Sequence, residues 1–464
     1  MPETMKLRSL AADVRAARSE RGSSYTLRRQ QLLGLKTMLL ERGPEFEQAL
    51  LTDLAKNPVE SEITEIGFVL AEIDHALRHL RSWMRPRRSR PPMTLWPATA
   101  RTVSDPLGAV LIISPWNYPL QLSLAPLVGA LAAGNGVVLK PSEISPATSA
   151  AMALFIPQYL DAALVRVVEG GPSETTTLLD EQWDYIFYTG NETVARIIST
   201  AAARHLTPTT LELGGKSPTF VDGTANLAHV AKRLAWTKFV NAGQTCVAPD
   251  YVLVTPDAHD GLVAALESAV TDLFGTDPQA STDYGRIVSA NHVSRLRAVM
   301  PRAGIAFGGQ VDAKTKYIAP TAATGVKPSD PIMRDEIFGP ILPILKVADS
   351  AEAIGFINSR PKPLALYVYS ADRQVRRDFE TQTSSGALDI NVGLAHMSVP
   401  GLPFGGVGAS GHGAYHGKRS FDTFSHAKAV LSKPLAPDTL SLIYPPYTAA
   451  KGRMARGLLR RLSR

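Results

Sequence analysis

The stretch Gly108-Ala109-Val110-Leu111-Ile112-Ile113-Ser114-Pro115-Trp116-Asn117-Tyr118-Pro119 decides the fold. Five consecutive apolar residues after a glycine read as a strand buried on both faces. The polar turn that follows sits at the strand's C-terminal end, where α/β sheets place their ligands. Downstream, residues 120–133 read as a helix that stops at Gly134-Asn135-Gly136. Val137-Val138-Leu139 is a second strand, residues 145–160 a second helix, and Val165-Arg166-Val167-Val168 a third strand. Tyr185-Ile186-Phe187-Tyr188 is a fourth, ending at Thr189-Gly190. Strand and helix alternate, so a parallel sheet of the nucleotide-binding kind is expected.

Further along, Thr219-Phe220-Val221, a helix over 226–240 and Tyr251-Val252-Leu253-Val254 predict a second α/β unit reaching to about residue 400. Upstream, residues 5–83 read as helical, with apolar positions set among charges. A Pro- and Arg-rich stretch from Arg85 to Pro92 breaks that pattern and suits an arm between domains.

Composition closes off other classes. The 464 residues are 45% apolar and 20% charged, which excludes disorder as the main state. A single cysteine excludes an intramolecular disulfide, a Cys-based zinc site and an iron–sulfur cluster, and no metal is expected. The net charge is +7, but residues 451–464 hold Lys451, Arg453, Arg456, Arg460, Arg461 and Arg464 with no acid. Without that tail the chain is near neutral, so a nucleic-acid surface is not expected. No signal peptide or run of eighteen apolar residues is visible, and the lone reduced thiol suits the cytoplasm.

Two familiar motifs fail. Gly406-Val407-Gly408-Ala409-Ser410-Gly411 matches G-x-G-x-x-G but follows no strand and opens no helix, so it reads as a flexible turn. Gly215-Lys216-Ser217 lacks the glycine that a phosphate-binding loop needs five residues earlier, where Thr210 stands. His75 with His79, and His412 with His416, have no Glu or Cys beside them and read as solvated or packing histidines.

What survives is a set of polar turns. Cys246 lies in Asn241-Ala242-Gly243-Gln244-Thr245-Cys246-Val247-Ala248-Pro249. A small buried hydrophobe and an activated nucleophile both stay open there on residue types alone. Glu212, within Leu211-Glu212-Leu213-Gly214-Gly215, is awkward to bury unless its acidity serves a task; a salt bridge is the plainer alternative. Asn117, beside Trp116, has an amide suited to a developing oxyanion. Lys140-Pro141-Ser142-Glu143 ends the second strand, and Glu336-Ile337-Phe338-Gly339-Pro340 adds an acid beside an aromatic. Singly, each of these is an ordinary polar loop.

Together these segments resemble the aldehyde dehydrogenase superfamily over about residues 10–435, most nearly its class 3, fatty-aldehyde type. The class 3 likeness rests on the short N-terminus, Phe187-Tyr188-Thr189-Gly190-Asn191, and Leu206-Thr207-Pro208 ahead of Glu212. It rests also on Pro403-Phe404-Gly405-Gly406-Val407-Gly408 leading to Tyr415-His416-Gly417. One departure is Ala195, where the superfamily usually has a second glycine five positions after Gly190.

The resemblance implies an α/β aldehyde dehydrogenase fold. Its parts would be a Rossmann-like cofactor domain (1–83 and 103–211), a catalytic domain (212–400) and bridging, oligomerising segments (84–102 and 401–436). A basic tail (437–464) would follow. It implies Cys246 as nucleophile, Asn117 as oxyanion donor and Glu212 as the base that activates water to hydrolyse a thioester. Trp116, Lys140, Glu143, Gly190, Asn191, Gly214, Glu336 and Phe338 would bind the cofactor, NAD first with NADP as alternative. Tyr118, Trp236, Met397 and Phe404 would line an apolar substrate tunnel for medium or long aliphatic, or aromatic, aldehydes. A homodimer is implied too.

If 451–464 is helical, Met454, Ala455, Leu458, Leu459 and Leu462 share one arc, and the arginines the opposite one. A peripheral membrane-surface helix and a disordered solubilising tail both stay open. Two other functions also stay open: a thiol esterase using Cys246 and Glu212, and a non-catalytic binding protein on the same fold.

Overall fold

The computed structural model describes residues 7–462. The expectations about the chain's first six residues and about Arg464 lie outside the described residues.

The first sheet has six strands in the spatial order Gly411–His412, Thr209–Leu213, Tyr185–Gly190, Ala109–Ile113, Gly136–Lys140, Val165–Val167. All neighbours are parallel except the first pair. The chain builds outward from Ala109–Ile113 to one side, then returns to build the other. That reversal opens a crevice between the C-terminal ends of Ala109–Ile113 and Tyr185–Gly190, where doubly wound sheets bind ligands.

Ala109–Ile113 is buried throughout, as its unbroken apolar run requires. Ala109, Leu111 and Ile113 pack with Leu10, Val14 and Ile198, while Val110 and Ile112 turn to Leu124, Leu127 and Leu131. The helix Gln121–Ala133 carrying those leucines is buried on every side. Gly134 ends it in the left-handed region at φ 88°, and Arg28 caps its last turn by donating to Ala132 O at 3.0 Å. The N-terminal region is helical as expected, in segments that include Leu10–Arg21, Tyr25–Glu41, Gly43–Leu54 and Gly67–Trp83, with a π-helical turn at Glu62–Ile66.

The second sheet has seven strands in the order Ile305–Phe307, Thr321–Thr324, Ile341–Lys346, Tyr251–Val254, Pro218–Val221, Ala365–Tyr369, Ala387–Ile390, all parallel but the first. The chain passes from one sheet to the other between Leu213 and Pro218. The C-terminal ends of the first sheet therefore meet segments that lead into the second: Gly214–Ser217, Cys246 before Tyr251, and Glu336–Phe338 before Ile341. A third sheet, Arg87–Ser89, Thr99–Pro106 and Ser425–Ser432, is antiparallel and largely exposed.

One expectation is corrected. Gly406–Gly411 is not a loose turn: a 3-10 turn at Gly408–Ser410 leads into Gly411–His412, which pairs with the Glu212 strand. Gly411 stands opposite Glu212 at φ 121°, and a Cβ there would strike Leu211 O at 1.9 Å. The glycine is needed for that approach, a demand that the motif's spacing does not reveal.

Candidate active site

One cavity of about 420 Å³ occupies the gap between the two sheets. Its wall includes Trp116, Asn117, Lys140, Glu143, Gly190, Asn191, Glu212, Gly214, Cys246, Glu336 and Phe338. Six chain segments far apart in sequence thus converge on one space. Tyr118, Trp236, Met397 and Phe404 are not part of that wall.

Cys246 sits on an irregular turn held from beneath. Asn241 and Ala242 are left-handed, both at φ 52°, and Gly243 follows at φ 74° with no room for a Cβ against Gly339 O. Gln244 ties the turn down: its Nε2 donates to Asn241 O and Arg286 O, and its Oε1 accepts from Val288 N. Tyr367 Oη donates to Val247 O at 2.5 Å on the other side. Burial, then the nearby Glu336 and Glu212 carboxyls, push the thiol up to about 12, so it rests protonated.

Asn117 Nδ2 donates to Gln244 O at 3.0 Å. That acceptor fixes which way the amide faces, since a carbonyl takes only a donor. The amide's second N–H is left for another acceptor in the cavity.

Glu212 lies in the middle of a strand pair, and both of its carboxylate oxygens are buried without a partner. Burial alone holds its carboxyl well above the ordinary carboxylate range. No salt bridge forms, so the plainer alternative for this residue fails.

Glu336 rests against Gly214, where a Cβ would come within 2.1 Å of its Oε2. Burial and the Asp250 charge push Glu336 up to about 8. Its loop is anchored: Lys216 donates to Asp250 at 2.5 Å and to Asp335 O at 2.9 Å, and Ile337 N donates to Asp250 Oδ1 at 2.8 Å. Phe338 meets Trp116 edge to face at 5.4 Å between centroids.

At the far end of the cavity, buried Lys140 donates to Pro141 O and lies 3.6 Å from the half-exposed Glu143. Asn191 caps the helix Glu192–His205 by accepting from Val194 N at 3.0 Å. Its side chain is therefore committed to the helix, whose N-terminal end favours an anionic group nearby.

Sequence reasoning missed His292 and Arg295 on the helix Ala290–Val299. His292 packs on Trp116 at 4.9 Å, and Arg295 donates to Ile337 O at 2.8 Å. Their i, i+3 spacing puts both on one helix face, but the same spacing occurs on ordinary solvated helices. Ser114 and Thr189, at adjacent strand ends on the wall, were missed too; their hydroxyls are buried without partners.

The four residues expected at the substrate lie off that wall. Tyr118 is buried, with its hydroxyl on Thr245 Oγ1 at 2.7 Å and its ring under Lys56 Nζ. Phe404 is buried between His396 and His416 and bridges to Tyr415 through both backbone groups. Met397 is partly buried, and Trp236 is exposed. His75 and His79 pack with Trp83, and His412 and His416 go separate ways, to Thr209 and to Phe404.

A dinucleotide fits this chemistry. Unpartnered hydroxyls at the switch point, a helix N-terminus, a Lys–Glu pair and a second carboxylate facing a glycine cradle suit pyrophosphate and two riboses.

A profile of the aldehyde dehydrogenase family matches residues 8–430, and the chain belongs to that family. It is an NAD(P)-dependent aldehyde dehydrogenase, and its relatives include family 3 members. Aldehyde dehydrogenase family 3 member B1 of Homo sapiens is 50% identical over 428 residues, covering 92% of each chain. Member A2 of Rattus norvegicus is 45% identical, covering 94% of this chain and 90% of its own. The substrate-bound Staphylococcus aureus AldH superposes with a TM-score of 0.95 at 42% identity, covering 97% of this chain and 99% of that one.

Proposed function

We propose that this enzyme oxidises medium or long-chain aliphatic, or aromatic, aldehydes to carboxylic acids through a thioester on Cys246. The observation that carries the reading is the convergence of Cys246, Asn117 and Glu212 on the one cavity that also holds the dinucleotide-type groups.

The Cys246 thiol passes its proton to water and so to solvent, and Sγ bonds to the aldehyde carbon as the C=O electron pair moves onto oxygen. Asn117 and the Cys246 backbone N–H hold the resulting oxyanion. NAD(P), when bound, supplies the hydride acceptor. Glu336 would hold its nicotinamide ribose, Lys140 and Glu143 its adenine ribose, and Trp116 and Phe338 the cofactor channel. After hydride loss the acyl group remains as a thioester. Glu212 takes a proton from water, the water oxygen bonds to the acyl carbon, and the C–S bond breaks to release the acid and restore the thiol. A buried carboxyl whose proton affinity is raised meets this task in its ionised form.

Apolar substrates are favoured by the segment beside Trp236. Arg233 on the same helix donates to Asn391 O, and Val392, Val399 and Leu402 are exposed just beyond. The motifs that carry Cys246, Glu212 and Asn117 contain no arginine to hold an anionic aldehyde.

The chain acts as a homodimer in this reading. Ser425–Ser432 pairs on one side only, with Thr99–Pro106, which leaves an eight-residue edge of the kind that takes up another strand. The helix Ala449–Leu462 would lie on anionic membrane surfaces, its Arg453 and Arg456 exposed with Met454. Among the described residues no helix is long and apolar enough to cross a membrane. Removing residues 451–464 should abolish binding to phosphatidylserine vesicles and spare turnover of a water-soluble aldehyde; undiminished vesicle binding would contradict the membrane role.

The function itself is tested by mixing the protein with a long-chain aldehyde and NAD or NADP and following the reduced cofactor. Reduction lost in Cys246→Ala is expected. Acid release from an ester with no aldehyde oxidation would favour the esterase reading.

A further inference from the structure

Lys56 and Glu65 form an ion pair with no solvent exposure on either side chain, and both stand behind the turn that carries Asn117. Glu65 belongs to the π-helical turn Glu62–Ile66, a form often found beside functional sites. Its Oε2 accepts from Leu120 N at 2.9 Å and Gln121 N at 3.1 Å, fixing the start of the helix Gln121–Ala133. Lys56 Nζ lies 3.5 Å from Asn117 O and 4.2 Å from the centre of the Tyr118 ring. Asn241 Nδ2 donates to the same Asn117 O at 2.7 Å. The backbone from Asn117 to Gln121 is thus gripped at both ends by groups that do not line the cavity.

An ion pair buried this completely adds little net stability, because desolvation offsets its attraction and an apolar pair of similar volume would serve as well. What it adds is position. A donor stabilises an oxyanion only when held close to where that oxygen forms, and a displacement of about 1 Å costs up to about 100-fold in rate.

We propose that Lys56 and Glu65 are positioning residues that aim the Asn117 amide at the oxyanion. The proposal rests on the reading of Asn117 as the oxyanion donor, so its test separates the two. The variant Lys56→Met with Glu65→Leu replaces the pair by apolar groups, and is made in the native and the Asn117→Ala backgrounds. Acylation is read by rapid mixing with aldehyde and NAD, and NADH affinity by fluorescence.

In the native background the expected loss of acylation rate is on the order of 10- to 100-fold. In the Asn117→Ala background the same change should cost less than about 3-fold, since nothing is left to aim. NADH affinity should be unchanged in both, which a general structural defect would not allow. Glu65→Gln is a second probe, because it keeps the acceptor for Leu120 and Gln121 but removes the charge. It should show the same dependence on Asn117, with a loss of about 10-fold.

Equal losses in both backgrounds, or no loss in the native one, would overturn the proposal. An Asn117→Ala enzyme that acylates at the native rate would overturn the reading beneath it instead.

Discussion

Asn117 Nδ2 donates to Gln244 O at 3.0 Å, which joins the turn after the first buried strand to the turn that carries Cys246. The bond spans the gap between the two sheets, and Asn117 and Cys246 both line the cavity there.

If that amide holds the oxyanion, Asn117→Ala should lower kcat/KM for aldehyde by about 100- to 1000-fold, as removal of one such donor does elsewhere. Steady-state kinetics with a soluble aldehyde checks this, and NAD affinity should not change. A loss confined to KM would assign Asn117 to substrate binding alone.

Gly214 offers a test of the cofactor end. A methyl group there displaces the Glu336 carboxyl, so Gly214→Ala should weaken NAD binding by on the order of 10-fold, the worth of one hydrogen bond. Titration of NADH fluorescence measures it. Iodoacetamide should still label Cys246, since the substitution leaves its turn in place.

Glu212 predicts an unusual pH profile. Its base form appears only as pH rises through a value well above the ordinary carboxylate range. Hydrolysis of the acyl-enzyme should therefore fall on the acid side at a pH well above about 4.3, the usual glutamate value. Deacylation measured by single turnover between about pH 5 and about pH 9 should lose that limb in Glu212→Gln. A limb at the usual glutamate value would contradict the assignment.

The same carboxyl predicts a trade of stability for function. The unfolded chain releases the Glu212 proton above its ordinary pKa, while the folded protein retains it, so stability is lost as pH rises between the two values. Glu212→Leu removes both this and two unpartnered buried oxygens. It should stabilise the protein by about 1–3 kcal/mol at neutral pH, with a smaller gain under acid conditions. Thermal unfolding at the two pH values decides it.

Much of the fold was legible because its signals are local. Ala109–Ile113 and Tyr251–Val254 have the limits their apolar runs suggest, and the helix expected over 120–133 runs from Gln121 to Ala133. The strand holding Glu212 carries no such run, since Thr209, Thr210 and a carboxylate interrupt it. One of its edges pairs with Gly411–His412, about two hundred residues away, and no pattern near Glu212 announces that partner. The cavity residues that had motif context, from Trp116 to Phe338, are brought together. His292 and Arg295 were not legible, because two polar residues on a half-buried helix look alike whether they face water or a cofactor. Trp236, Met397 and Phe404 were matched by resemblance, and the exposed apolar segment beside them depends on how two distant loops meet.

The most direct measurement is mass spectrometry of the Glu212→Gln protein after mixing with NAD and a long-chain aldehyde. Without its base the enzyme should stall as an acyl thioester, with the mass of the acyl group on the peptide that contains Cys246 and one equivalent of NADH released. NADH formation with no adduct on Cys246, or an adduct on another residue, would contradict the mechanism at its centre.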